Sequence, residues 1–130
     1  MTIKHMLMEQ AENAFHKAYA PYSNFRVGAA VLTKDGHVYT GCNVENISFG
    51  LTSCAERNAI FSAISQRGKI EIEAIAVVVE SDQGASPCGA CRQVIAEFGP
   101  HAKIFYKLKG QEYESSTSEL LPSSFDSIAA

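Results

Sequence analysis

Apolar residues recur along residues 4–18 at Leu7, Ala11, Ala14, Phe15 and Ala18. This is the spacing of one helical face, so the chain opens with an amphipathic helix. Beyond the turn Ala20-Pro21-Tyr22-Ser23-Asn24 the pattern shortens. VGAAVLT (27–33) and HVYTGCNVE (37–45) read as strands, and Lys34-Asp35-Gly36 between them is hairpin chemistry. Gly28, Ala29 and Ala30 are small for a strand, which predicts close approach of a helix or a ligand. In SCAERNAIFSAISQRG (53–68) helical spacing returns at Ala55, Ala59, Ile60, Ala63 and Ile64. Ser53 stands where it would cap that helix, with Glu56 at capping-box distance and Gly68 as the stop.

IEAIAVVVE (72–80) is a continuous β-branched run of the kind buried on both faces of a sheet. A further helix carries Cys88, Cys91, Val94, Ile95 and Phe98 on one face. Ser86 is its expected cap, Pro87 its first residue and Gly99-Pro100 its end. AKIFYKLK (102–109) is the next strand, QEYESS (111–116) a short edge strand, and ELLPSSFDSIAA (119–130) a loose C-terminal arm. Strand, helix and strand joined by short loops imply a right-handed parallel crossover. The sum is an α/β fold: a mixed sheet, its first two strands antiparallel and its middle ones parallel, with helices on its faces. The 130 residues suit one domain, 1–130.

Composition narrows the function. With 46% hydrophobic and 19% charged residues the chain folds into a packed globule. Its net charge of −3 and scattered Lys and Arg argue against a nucleic-acid surface. The first residues, MTIKHMLMEQAENAFHKAY, lack a long apolar core, and no stretch nears about 20 apolar residues. Neither a secretory signal nor a membrane span is expected, and the cytoplasm is the expected compartment. There disulfides do not persist, so Cys88-x-x-Cys91 points to metal or redox chemistry.

Two predicted helices begin at cysteine, at Cys54 and at Cys88, with Cys91 one turn further on. A helix N-terminus carries about half a positive charge, which favours the thiolate, the form that binds metal. Two such ends facing each other would assemble three soft ligands suited to tetrahedral Zn²⁺ and leave a fourth position for water. Cys42, the remaining cysteine, reads as core or pocket lining, with a fourth-ligand role as its rival. Glu56 is either a capping partner or a carboxylate beside metal-activated water. Three thiolates and Zn²⁺ sum to −1, so something should withdraw charge from the sulfurs. Arg57 and Arg92 are the two candidates.

Ser53-Cys54-Ala55-Glu56 followed by Pro87-Cys88-x-x-Cys91 resembles the zinc-dependent nucleoside deaminase signature. With FRVGAAV (25–31), GCNVENISFGLT (41–52) and ELLPSSF (119–125), the resemblance narrows to short-chain cytidine deaminases, from about Tyr19 to Phe125. It implies hydrolysis of cytidine or deoxycytidine to uridine or deoxyuridine with release of ammonia. It also implies a three-layer α/β/α fold with a mixed five-stranded sheet, and a homotetramer whose subunits complete each other's pockets. By position, Cys54, Cys88 and Cys91 become the zinc ligands and Glu56 the proton shuttle. Asn43 and Glu45 fall at the ribose, Phe25 near the base, the Ala55 backbone at the base edge, and Phe125 where a neighbouring chain reaches the pyrimidine. Arg57 matches an arginine on the ligand sulfurs. Phe49 stands where this family commonly has tyrosine, so a hydroxyl that would serve subunit contacts is missing. The rivals are a structural zinc module, a thiol redox protein, a deaminase of another cytosine nucleoside such as blasticidin S, and a polynucleotide deaminase. The last would need an aromatic-rich basic groove for single strands, which this short, acidic chain does not offer.

Overall fold

A computed structural model describes residues 2–126. The expected first helix is α1 (Ile3–Phe15), capped by the Thr2 side chain, and it stops a turn earlier than its apolar pattern. The hairpin forms from β1 (Val27–Thr33) and β2 (Val38–Cys42), with Gly36 at a φ of 90° in its turn. Then follow α2 (Ala55–Arg67), β3 (Ile72–Val79), the two-residue β4 (Gly84–Ala85), α3 (Gly89–Phe98), β5 (Lys103–Leu108), β6 (Gln111–Ser116) and a single-turn α4 (Thr117–Leu120).

The sheet runs β2-β1-β3-β5-β4, with β6 also paired to β5. It has six strands rather than five. The addition is β4, which pairs Gly84 and Ala85 with Leu108 and Lys107 of β5. Its sequence, SDQGAS, has turn composition, so nothing local announces it. β1 is antiparallel to both β2 and β3, and β3 is parallel to β5, as the crossover requires. Of the arm expected to be loose, residues 119–120 belong to α4, where Ser116 and Glu119 form a capping box, residues 121–126 follow without helix or strand, and residues 127–130 lie outside the described residues.

Two apolar clusters lie on opposite faces of the sheet. One packs Leu7, Met8, Ala11 and Phe15 of α1 on Ala30, Leu32, Ala74, Ala76, Val78 and Phe105. The other packs α2 and α3 residues, including Ala59, Ile60 and Ile95, on Ala29, Val31, Ile75 and Ile104. Residues alternating along one strand thus serve two layers of helices, which gives the α/β/α order.

The small residues of β1 and β2 answer the question they raised. A Cβ on Gly28 would lie 1.8 Å from the Ala11 carbonyl oxygen, and one on Gly41 would lie 2.4 Å from the Ala59 nitrogen. Helices lie directly on both glycines, and the Gly41 contact seats the start of α2 against the end of β2. Gly28→Ala must push α1 off the sheet. A loss of about 1–3 kcal/mol is expected, the usual cost of overpacking. It reads as a lower urea midpoint at unchanged slope.

Candidate metal centre

The sulfurs of Cys54, Cys88 and Cys91 all lie within 4.8 Å of one another. Zinc–sulfur bonds of about 2.3 Å in a tetrahedron put sulfurs roughly 3.8 Å apart, so this triangle closes on zinc with small side-chain movement. The donor set is that of a zinc site. Cys42 stands apart on β2, half-buried, and is not among the clustered sulfurs.

The helix starts lie later than expected, by one residue in α2 and by two in α3. Cys54 and Cys88 are themselves the N-caps of α2 and α3. Ser53 does not cap α2: its hydroxyl donates to Asn58 Oδ1 at 2.6 Å, and there is no capping box with Glu56. Ser86 does not cap α3 either, and Pro87 precedes the helix rather than opening it. The Cys88 sulfur accepts from the Cys91 amide at 3.5 Å. Both shifts put a cysteine, rather than a serine, at the N-cap, and in α3 its sulfur meets a first-turn amide. That is where the positive end of the helix stabilises a thiolate.

The hydrogen bond from Cys91, with help from Arg57, pushes the Cys54 thiol down to about 5. The same bond, together with burial, holds Cys91 far above the usual thiol range. Arg57 Nη2 donates to the Cys54 sulfur at 3.0 Å, the interaction that the charge of the site called for. Its Nε is buried without a partner among the described residues. Arg92, the competing candidate, turns away and donates to the carbonyls of Pro87 and Leu120 and to the Ser86 hydroxyl.

Glu56 lies in the first turn of α2 and is 5% exposed. Burial raises its carboxyl above the ordinary carboxylate range, and the negative charge of Cys54 adds to the shift. Ala55 beside it is buried.

The Asn43–Glu45 segment is bound to this centre by backbone. Val44 and Ser53 form an antiparallel bridge with both hydrogen bonds made, at 3.0 and 2.9 Å. Asn58 Nδ2 adds a 2.7 Å bond to the Cys42 carbonyl. Asn43 is buried. Its Oδ1 accepts from the Val27 amide at 2.9 Å and its Nδ2 donates to the Phe25 carbonyl at 2.8 Å. Glu45 accepts from the Tyr22 and Ser23 amides and the Ser23 hydroxyl, which hold its carboxyl below the usual range, the hydroxyl most of all. Phe25 is 37% exposed. Phe125 lies beside α3. Its carbonyl accepts from Gln93 Nε2, and its ring is 69% exposed. Sequence reasoning missed Asn58, Ser23 and Gln93 as parts of this frame and read Ser53 as a cap, because no local spacing marks a side chain whose partner lies on a distant segment.

Three thiolates around one dication leave a corner for solvent, and a buried carboxyl two residues from one of them can hold or give a proton. That pairing places the chain among zinc-dependent hydrolases. More narrowly, it belongs to the family defined by the cytidine and deoxycytidylate deaminase zinc-binding region, whose model matches residues 1–107. A cytidine deaminase of Halalkalibacterium halodurans is 50% identical over 124 residues, covering 94% of this chain and 93% of the relative. The crystal structure of a cytidine deaminase from Burkholderia pseudomallei superposes with a TM-score of 0.88 at 50% identity, covering 96% of this chain and 100% of that one. A blasticidin-S deaminase of Bacillus cereus is more distant, 32% identical over 88% of this chain and 89% of its own length.

Proposed function

We propose that this chain deaminates cytidine and deoxycytidine hydrolytically, giving uridine and deoxyuridine and releasing ammonia. The observation that carries the reading is the sulfur triangle beside the buried, proton-holding Glu56. Cys54, Cys88 and Cys91 would hold the zinc. When bound, zinc supplies a water that loses a proton near neutral pH. The Glu56 carboxylate takes that proton and delivers it to N3 of the base, which opens C4 to attack by the hydroxide; it then takes the proton of the hydroxyl formed at C4 and passes it to the amine, which departs as ammonia. Its raised pKa suits it to holding a proton between those steps. Arg57 draws charge from the Cys54 sulfur and keeps the centre electrophilic.

The substrate side follows from unsatisfied bonding capacity. Asn43 has one Nδ2 hydrogen remaining after its two backbone bonds, and the Glu45 carboxylate, accepting three, has room for a fourth donor. Both suit ribose hydroxyls. Phe25 would pack near the base and the Ala55 backbone would meet the base edge. Phe125 would reach the pyrimidine of a neighbouring subunit in a homotetramer. Ile47, Phe49 and Leu51 are 81%, 79% and 69% exposed, an apolar surface that association would cover. Phe49 brings no hydroxyl to that contact, so packing must hold it. The chain is taken as one domain over 1–130, working in the cytoplasm, where its thiols stay reduced. Among the described residues no helix is long and apolar enough to cross a membrane.

An ultraviolet assay offering cytidine, deoxycytidine, cytosine, their monophosphates and blasticidin S tests the reading. Turnover of the two nucleosides, with cytosine and blasticidin S untouched, is the expected result. Turnover of blasticidin S alone, or of none, would overturn it.

A further inference from the structure

We propose that Arg92 is a positioning residue that clamps the C-terminal arm to the zinc loop of its own subunit, and so sets where that arm presents Phe125 to the neighbouring pocket. The inference rests on the deaminase reading above. The guanidinium makes three hydrogen bonds in three directions. Nε donates to the Pro87 carbonyl at 2.7 Å, Nη2 to the Ser86 hydroxyl at 3.0 Å, and Nη1 to the Leu120 carbonyl at 2.9 Å. Two of these hold the turn that delivers Cys88. The third crosses to the end of α4, five positions before Phe125.

Nothing local explains an arginine here. It follows Cys91 near the N-terminal end of α3, where the helix dipole disfavours a cation. Among the described residues it forms no ion pair. A half-buried cation facing only neutral oxygens loses hydration without a counter-charge in return. Its rigid fork, however, can hold three oxygens at set angles, which an ammonium on a flexible stem cannot.

The next residue points the same way. Gln93 Nε2 donates to the Phe125 carbonyl at 3.0 Å. Two consecutive side chains after the last sulfur therefore both grip the arm, one at Leu120 and one at Phe125. The root of the arm is pinned separately, since the Thr117 hydroxyl donates to the Gly99 carbonyl at 2.6 Å and Ser116 and Glu119 cap α4. With the root fixed, Arg92 sets where α4 ends and Gln93 sets where the aromatic begins.

The test combines Arg92→Gln, Arg92→Lys and Phe125→Ala in the zinc-loaded protein. Arg92→Gln should keep one zinc per chain and speed hydrogen exchange in residues 117–126 by about 10-fold, the effect of losing one charge-assisted hydrogen bond. KM for cytidine should rise by about 10-fold with kcat within about 3-fold, and Arg92→Lys should not restore it. Added to Phe125→Ala, Arg92→Gln should cost nothing further in KM, because the aromatic it positions is gone. Unchanged exchange in the arm, multiplying KM losses in the double variant, or zinc loss with a fallen kcat would each overturn the clamp. Exchange and zinc content read the clamp even if no nucleoside is turned over, so failure of the deaminase reading shows itself separately. Should Arg92→Gln not fold, Gln93→Ala carries the same test. Exchange should then quicken in residues 123–126 and KM rise by about 3-fold, and no change in either refutes the clamp.

Discussion

Glu56→Gln is expected to lower kcat by about 10²–10⁴, the span of a lost general acid–base, while zinc stays bound at one per chain. The carboxyl lies in the first turn of α2, buried, with burial and the Cys54 charge both holding its proton more tightly than an ordinary carboxylate would. In the proposed reaction it handles a proton at water, at N3, at the C4 hydroxyl and at the departing amine. Glutamine fills the same volume and keeps hydrogen-bonding capacity, so the packing under α2 should survive, but an amide cannot exchange that proton. The loss should fall in kcat rather than in KM, because the ribose contacts lie elsewhere and an amide can still donate to N3. Steady-state kinetics with metal analysis on the same sample checks both halves. Near-normal turnover would remove Glu56 from the proton path and return it to a merely structural role.

Removing zinc should abolish turnover altogether, and adding zinc back should restore it. With zinc bound the three sulfurs gathered at two helix starts are thiolates whose charge the cation offsets, and Arg57 donates to the Cys54 sulfur. A metal that binds the folded state alone stabilises it by about 4 kcal/mol at a thousandfold excess over its dissociation constant. For a chain of this size that corresponds to a Tm lower by about 10–15 °C after chelation. Cys91→Ala, at the buried corner of the triangle, should mimic chelation and resist rescue by zinc. Cobalt substitution should count three thiolates, since Cys42 stands outside the cluster. Four thiolates, or a Tm shift with no activity at any zinc level, would instead support a structural zinc module. Activity that survives chelation would support thiol redox chemistry.

Much of this protein was legible along the chain because its signals are local. The period of Leu7, Ala11, Ala14 and Phe15 shows α1, and Asp35-Gly36 shows the hairpin. The unbroken run of residues 72–80 shows a strand covered on both faces. Cys54-x-Glu56 and Cys88-x-x-Cys91 were legible for the same reason, since each half of the centre is a short spacing at one helix start. The helix caps were misread where two local rules competed. Serine is the better cap in general, but here Ser53 bonds to Asn58 and Ser86 receives Arg92, and the cysteines take the cap positions.

Sequence alone determined the elements, the candidate sulfurs and the carboxylate between them, because backbone periodicity and helix-end chemistry act over one or two turns. Only the tertiary structure decided that the three sulfurs meet and that Cys42 stays out. It also decided that Arg57 serves the sulfurs while Arg92 holds the arm, and that Asn43 ties the entry of β1 to the exit of β2. Those outcomes depend on which distant segments the sheet brings within about 3 Å of a long side chain, the reach of a hydrogen bond. A long polar side chain has several partners open to it, and packing between remote parts of the chain chooses among them.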